Sequence, residues 1–129
     1  MNTATMNTAT MTPAALAERY TVEDLREIVA QARDAAYKAA DAYENDVMQG
    51  GWGACGFAWM NIYGIKGNTR IGRRLKQAGV DQSWDKSFQI WNPSGYPTQN
   101  VDTLEAGARA AAQVFKRYGF DAYAGSRLD

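Results

Sequence analysis

The stretch Gly51-Trp-Gly-Ala-Cys-Gly-Phe-Ala-Trp-Met-Asn-Ile-Tyr-Gly64 decides the fold. It carries no charge and sits between a long helical pattern and a short basic one. Side chains alternate across a strand with period two. Ala54, Gly56, Ala58, Met60 and Ile62 therefore share one face, and Cys55, Phe57, Trp59, Asn61 and Tyr63 the other. The stretch reads as a central strand with small and aliphatic residues on one side and an aromatic stripe on the other. Small residues let helices approach a sheet closely. The aromatic side needs a cover or a ligand.

Upstream, Thr21-Val-Glu-Asp24 reads as a capping box with Asp24 in the place of the usual Glu. Apolar and alanine positions follow at Val22, Leu25, Val29, Ala32, Ala36, Ala39 and Tyr43, alternating steps of three and four that describe a heptad seam. The helix is expected to run to about Met48, where Gly50-Gly51 stop it. At ~1.5 Å per residue its length is about 40 Å, enough to overhang a small sheet. Its alanines would admit a close partner helix or let it lie intramolecularly across the sheet. Before it, Thr12-Pro13 opens a short helical turn ending at Tyr20. Residues 1–12 contain the repeat Met-Asn-Thr-Ala-Thr and are expected to be a flexible tail on one α+β domain, 13–129.

Downstream, Asn68 or Thr69 caps a short helix closed by Gly79. Val80–Trp84 and Ser87–Asn92 flank Asp85-Lys86 as a hairpin. Asp102-Thr-Leu-Glu105 reads as a second capping box, opening a helix that buries Leu104, Ala108, Ala111, Phe115 and Tyr118 and ends at Gly119. Phe120–Gly125 is the last expected strand. After the long N-terminal helix the order is thus β-α-β-β-α-β, a ferredoxin-like sheet in an α+β protein. If 80–84 is not a strand, the alternative is a three-stranded β-α-β-α-β sheet.

The chain has 129 residues, one cysteine and no histidine. The missing histidine excludes Ser-His-Asp and Cys-His catalysis and histidine metal sites. A lone Cys55 forms no internal disulfide and suits a reducing, cytoplasmic setting. In an apolar strand it reads as a buried packing residue. The N-terminus lacks the basic start and apolar core of a signal peptide, and no apolar run spans a bilayer. No Asp/Glu cluster has metal-ligand spacing, so neither metal nor cofactor is expected.

Charge is zero in sum but uneven. Residues 18–46 hold eight acids against four bases, and residues 66–86 six bases against two acids. Lys66, Arg70, Arg73 and Arg74 could hold an anion at the helix start, or could pair with the acidic helix. Phe57, Trp59 and Tyr63, joined by Trp91 and Tyr123 if the registers agree, could stack bases as RNA-recognition motifs do. The expected cover for that face is instead the long helix or a second subunit. The loop after Trp91, rigidified by two prolines and carrying Asn92, Ser94, Tyr96 and Gln99, is a candidate ligand-facing or structural loop.

Three segments, Gly53–Ile62, Trp91–Gly95 and Ala122–Asp129, together resemble a group of small proteins encoded in bacteriophage and prophage genomes. The resemblance spans about residues 25–129. It implies a phage origin and a host-cytoplasm setting, and carries over no catalytic or binding residue. The expected function is a non-enzymatic phage accessory protein, most simply a homodimer, that binds a host or phage macromolecule or nucleic acid, or sequesters a nucleotide-like ligand. A virion component and a small histidine-independent enzyme are the alternatives.

Overall fold

The computed structural model describes residues 9–129; residues 1–8, which hold most of the repeat, lie outside them. Helix α1 spans Pro13–Arg19 and α2 spans Val22–Tyr43, running on through a π-helical turn, Glu44–Met48. Strand β1 (Gly56–Tyr63), helix α3 (Arg70–Gln77), strands β2 (Asp81–Gln82) and β3 (Phe88–Trp91), helix α4 (Val101–Arg117) and strand β4 (Asp121–Leu128) follow. The molecule is α+β, with an antiparallel four-stranded sheet in the order β2-β3-β1-β4. No described helix is long and apolar enough to cross a membrane.

Local chemistry sets the boundaries. The hydroxyl of Thr21 accepts from Asp24 N–H while Asp24 Oδ2 accepts from Thr21 N–H, the reciprocal capping box expected of that segment. The second expected box is displaced. Asn100 caps α4, accepting from Asp102 N–H, so the helix starts at Val101. An Asn side chain two residues ahead of the amide competes well for that role. Strand β2 shrinks to two residues because the turn from Ser83 to Ser87 takes up the rest.

Sheet register fixes the two faces. Met60 pairs with Ile90 and Ala124, and Ile62 with Phe88 and Ala122. This face meets Leu25, Ile28, Ile71, Leu75 and Phe115 from the helices in one apolar core. A smaller cluster, Ala58 with Leu104 and Ala108, continues it under the other end of α4.

The long helix is intramolecular. Its buried line is Leu25, Ile28, Val29, Ala32, Ala36 and Ala40, and it packs along α4. The heptad expected at Ala39 gives way to Ala40, since a straight helix follows its i+4 ridge and drifts off a 3.5-residue repeat. Gly107 of α4 lets the two helices approach closely: a Cβ there would lie 3.1 Å from the Ala36 carbonyl oxygen. At the other end of the chain's helical layer, Met11 N–H donates to Gly119 O at 2.8 Å and its side chain packs on the core.

Candidate functional site

With all helices gathered on one face, the other face of the sheet is open among the described residues. The long helix, one of the two covers expected from sequence, does not lie over it. Its apolar line was already committed to α4, and the sheet's aliphatic face offered the better partner for the rest.

Three strands bring the aromatics together. Trp59 lies opposite Trp91 on β3 and Gly125 on β4. The two indoles meet at 4.9 Å between centroids, and Phe57 stands edge-on to Trp91 at 6.5 Å. Tyr63 and Tyr123 pair at 6.0 Å at the other end. Gly125 is required here, because a Cβ would fall 2.5 Å from Trp59 Nε1. The Trp59 indole therefore packs over Gly125, in the space that a side chain there would fill. Arg127 caps Phe57, its guanidinium 5.2 Å from the ring centre.

A polar line crosses the middle of this face. Asn61 is only 6% exposed, and its Oδ1 accepts from Gln89 Nε2 at 2.9 Å. Gln89 Oε1 in turn accepts from Trp91 Nε1 at 3.1 Å. The chain fixes the Trp91 ring and leaves Asn61 Nδ2 without an acceptor among the described residues. Between this line and the β2–β3 turn lies a groove of about 560 Å³ walled by Trp59, Trp91 and Trp84. Trp84 is 92% exposed. Asp81 and Asp85 stand at the groove's β2 end and Arg127 also lines it.

Two titrations belong to the face. Asp85 Oδ1 accepts from the Ser87 N–H at 3.0 Å and from its hydroxyl at 2.8 Å, which holds the carboxyl below its ordinary value. Asp121, an acceptor for the Tyr123 phenol and a charge against its phenolate, raises Tyr123 above its ordinary value. Flat rings, an amide line and two carboxylates can stack and edge-bind a planar heterocycle. They contain no nucleophile with an adjacent base.

The other residues singled out from sequence lie elsewhere. Arg74 is turned inward, donating to the carbonyls of Ala17 at 2.6 Å and Tyr20 at 2.9 Å, so it ties α1 to α3. Arg70 and Arg73 are exposed, and neither makes an ion pair among the described residues. Lys66 lines a recess with Lys76 and Lys86, to which neither arginine contributes. In the loop after β3, Ser94 is buried, donating to Asn92 Oδ1 and accepting from Tyr96 N–H. Tyr96 donates to Asp41 at 2.9 Å, and that bond pushes its phenol up to about 12. The loop's polar groups are thus largely spent on the fold. Cys55 corrects a further expectation: it precedes β1, bridges to Asn100 and is exposed, because the strand begins only at Gly56.

Sequence reasoning found Phe57, Trp59, Tyr63, Trp91 and Tyr123 but not the Asn61–Gln89 pair, Arg127 or Trp84 as members of one site. Alternation alone signals Asn61 and Gln89, since each sits on the aromatic side of its strand. Trp84, expected at the end of the strand Val80–Trp84, falls instead in the turn after β2, a placement that alternation does not signal. No protein-family model, curated protein or solved structure matches the chain.

Proposed function

We propose that the protein is a non-enzymatic binding module that stacks unpaired bases, presented by a nucleotide or a short single strand, on the open face of its sheet. One observation carries the reading. Five aromatic side chains, Phe57, Trp59, Tyr63, Trp91 and Tyr123, converge on a face that no described residue covers. Base–aromatic stacking contributes about 1–3 kcal/mol per base and tolerates any sequence. The amide of Asn61 supplies an edge contact. In the same reading the β-α-β-β-α-β order with antiparallel neighbours β2-β3-β1-β4 is a ferredoxin-like unit, to which α1 and α2 are added. The phage-borne, host-cytoplasm setting belongs to the proposal too and rests on the resemblance of the three segments.

Tryptophan quenching during titration with random single-stranded hexanucleotides, nucleosides and duplex DNA tests it. Quenching by the first two and not by duplex is expected. Trp59→Ala and Trp91→Ala should each weaken binding by about 1–3 kcal/mol. A second reading draws on the same exposed aromatics: a second copy of the chain covers the face as a homodimer. A dimer that Trp91→Ala dissolves, with no response to bases, would establish that reading over the first.

A further inference from the structure

Lys66, Lys76 and Lys86 come from three different elements: the loop after β1, helix α3 and the turn between β2 and β3. They line one recess of about 490 Å³ with Gly67, Asn68 and Gln82. No carboxylate lines it, and none of the three lysines makes an ion pair among the described residues. Of the three ammonium groups, only that of Lys76 makes a hydrogen bond among the described residues, a weak one to Gly67 O at 3.4 Å. The floor is closely built. A side chain at Gly67 would fall 2.5 Å from Gln82 Oε1 and 2.8 Å from Lys76 Nζ. Gln82 is held in turn, its Nε2 donating to Lys86 O at 3.0 Å. Three like charges gathered on a shaped recess repel one another and concentrate anions from solution. Ammonium groups recognise phosphate as point charges with rotatable donors.

Gln82 also lines the aromatic groove, so the two recesses adjoin across β2, a strand of two residues. The aromatic groove is lined by Asp81 of that strand and Asp85 of the turn after it, which would repel phosphate. The basic side carries the three lysines. Ring and phosphate are thereby sorted to opposite sides of one thin edge.

We propose that the Lys66–Lys76–Lys86 recess is a phosphate-binding site, taking either the phosphate of a nucleotide whose base lies on the sheet or a free polyphosphate. The nucleotide source rests on the base-stacking reading; the site itself does not.

Backbone-amide NMR of the intact chain tests it with three probes: inorganic pyrophosphate, a mixture of nucleoside 5′-monophosphates, and the nucleosides alone. Pyrophosphate should move the amides of Gly67, Asn68 and Lys86 and leave those of Asn61 and Gln89 in place. Monophosphates should move both sets if the phosphate arrives on a nucleotide, and nucleosides only the second. Lys66→Gln with Lys86→Asn should weaken pyrophosphate at least tenfold and leave nucleosides unaffected. Asn is chosen because Lys86 has a φ of 74°, a left-handed conformation Asn tolerates. A melt of the double variant verifies its fold, and Lys66→Gln alone repeats the test should that melt be lowered. Pyrophosphate shifts without any response to bases would retain this site and discard base stacking. Shifts at Asn61 and Gln89 with none at Gly67 for any phosphate would overturn the site and leave base stacking standing.

Discussion

At the scale of single residues, the arginines illustrate how like side chains part company. Arg74 satisfies two carbonyls at the end of α1, 57 and 54 residues away in sequence. Hydrogen bonds from a charged donor contribute about 1.5–3 kcal/mol each in buried settings, and this donor is half-buried. Arg74→Ala should therefore lower stability by about 2 kcal/mol. Arg70→Ala and Arg73→Ala, on solvent-facing positions, should each stay within about 0.5 kcal/mol. Denaturant melts of the three variants check this, and equal losses for all three would refute the tether. Gly125 makes the opposite kind of statement. Gly125→Ala places a methyl where the Trp59 indole lies. Because Trp59 can swing into solvent, the fold should tolerate the change while base binding falls by about the 1–3 kcal/mol of one stacking platform. A destabilised protein with unaltered binding would contradict it.

At the scale of elements, α2 against α4 tests close packing. Gly107→Ala gains about 1 kcal/mol of helix propensity. It also drives a Cβ to 2.8 Å from the Ser94 Cβ and 3.1 Å from the Ala36 carbonyl oxygen. Overpacking of that kind costs about 1–3 kcal/mol, so a net loss is expected, and a raised melting temperature would show that the helices separate freely. The β2–β3 turn offers a pH test. Asp85 is held below its ordinary value of 3.8 by the Ser87 N–H and hydroxyl. A depressed acid contributes stability that is present above the unfolded value and lost as pH falls through the folded one. The Ser87 amide signal should thus titrate with a midpoint under 3.8, and a midpoint at or above that value would dismiss the turn's hydrogen bonds. These elements also show what was legible in the chain. The Thr21 box and the period-two stripe around Trp59 are local signals, and they read correctly. The α4 cap and the choice of face for α2 are not local. They depend on which of Asn100 and Asp102 reaches the helix start, and on the register that puts Met60 beside Ile90. Lys66, Lys76 and Lys86 were invisible as a group because only the folded turn after β2 returns Lys86 to the loop after β1.

At the scale of the whole molecule, packing and recognition occupy opposite faces of one sheet, so folding and binding should respond to different variables. The core of α2, α3 and α4 against Met60, Ile62 and Phe88 closes within one chain. If the aromatic face awaits a base, the melting temperature should not depend on protein concentration, because no second copy enters the equilibrium. It should rise with ligand, by an increment that corresponds to about 2.7 kcal/mol when ligand exceeds its Kd a hundredfold. If the face is instead a dimer seam, dissociation accompanies unfolding, and the melting temperature climbs with protein concentration in the absence of any ligand. A calorimetric melt series over about a fiftyfold range of protein concentration, with and without a random hexanucleotide, separates the two by mass action. The expected result is a midpoint fixed along the first axis and rising along the second. Movement along the first axis alone would refute base binding and establish a second copy of this chain as the occupant of the face.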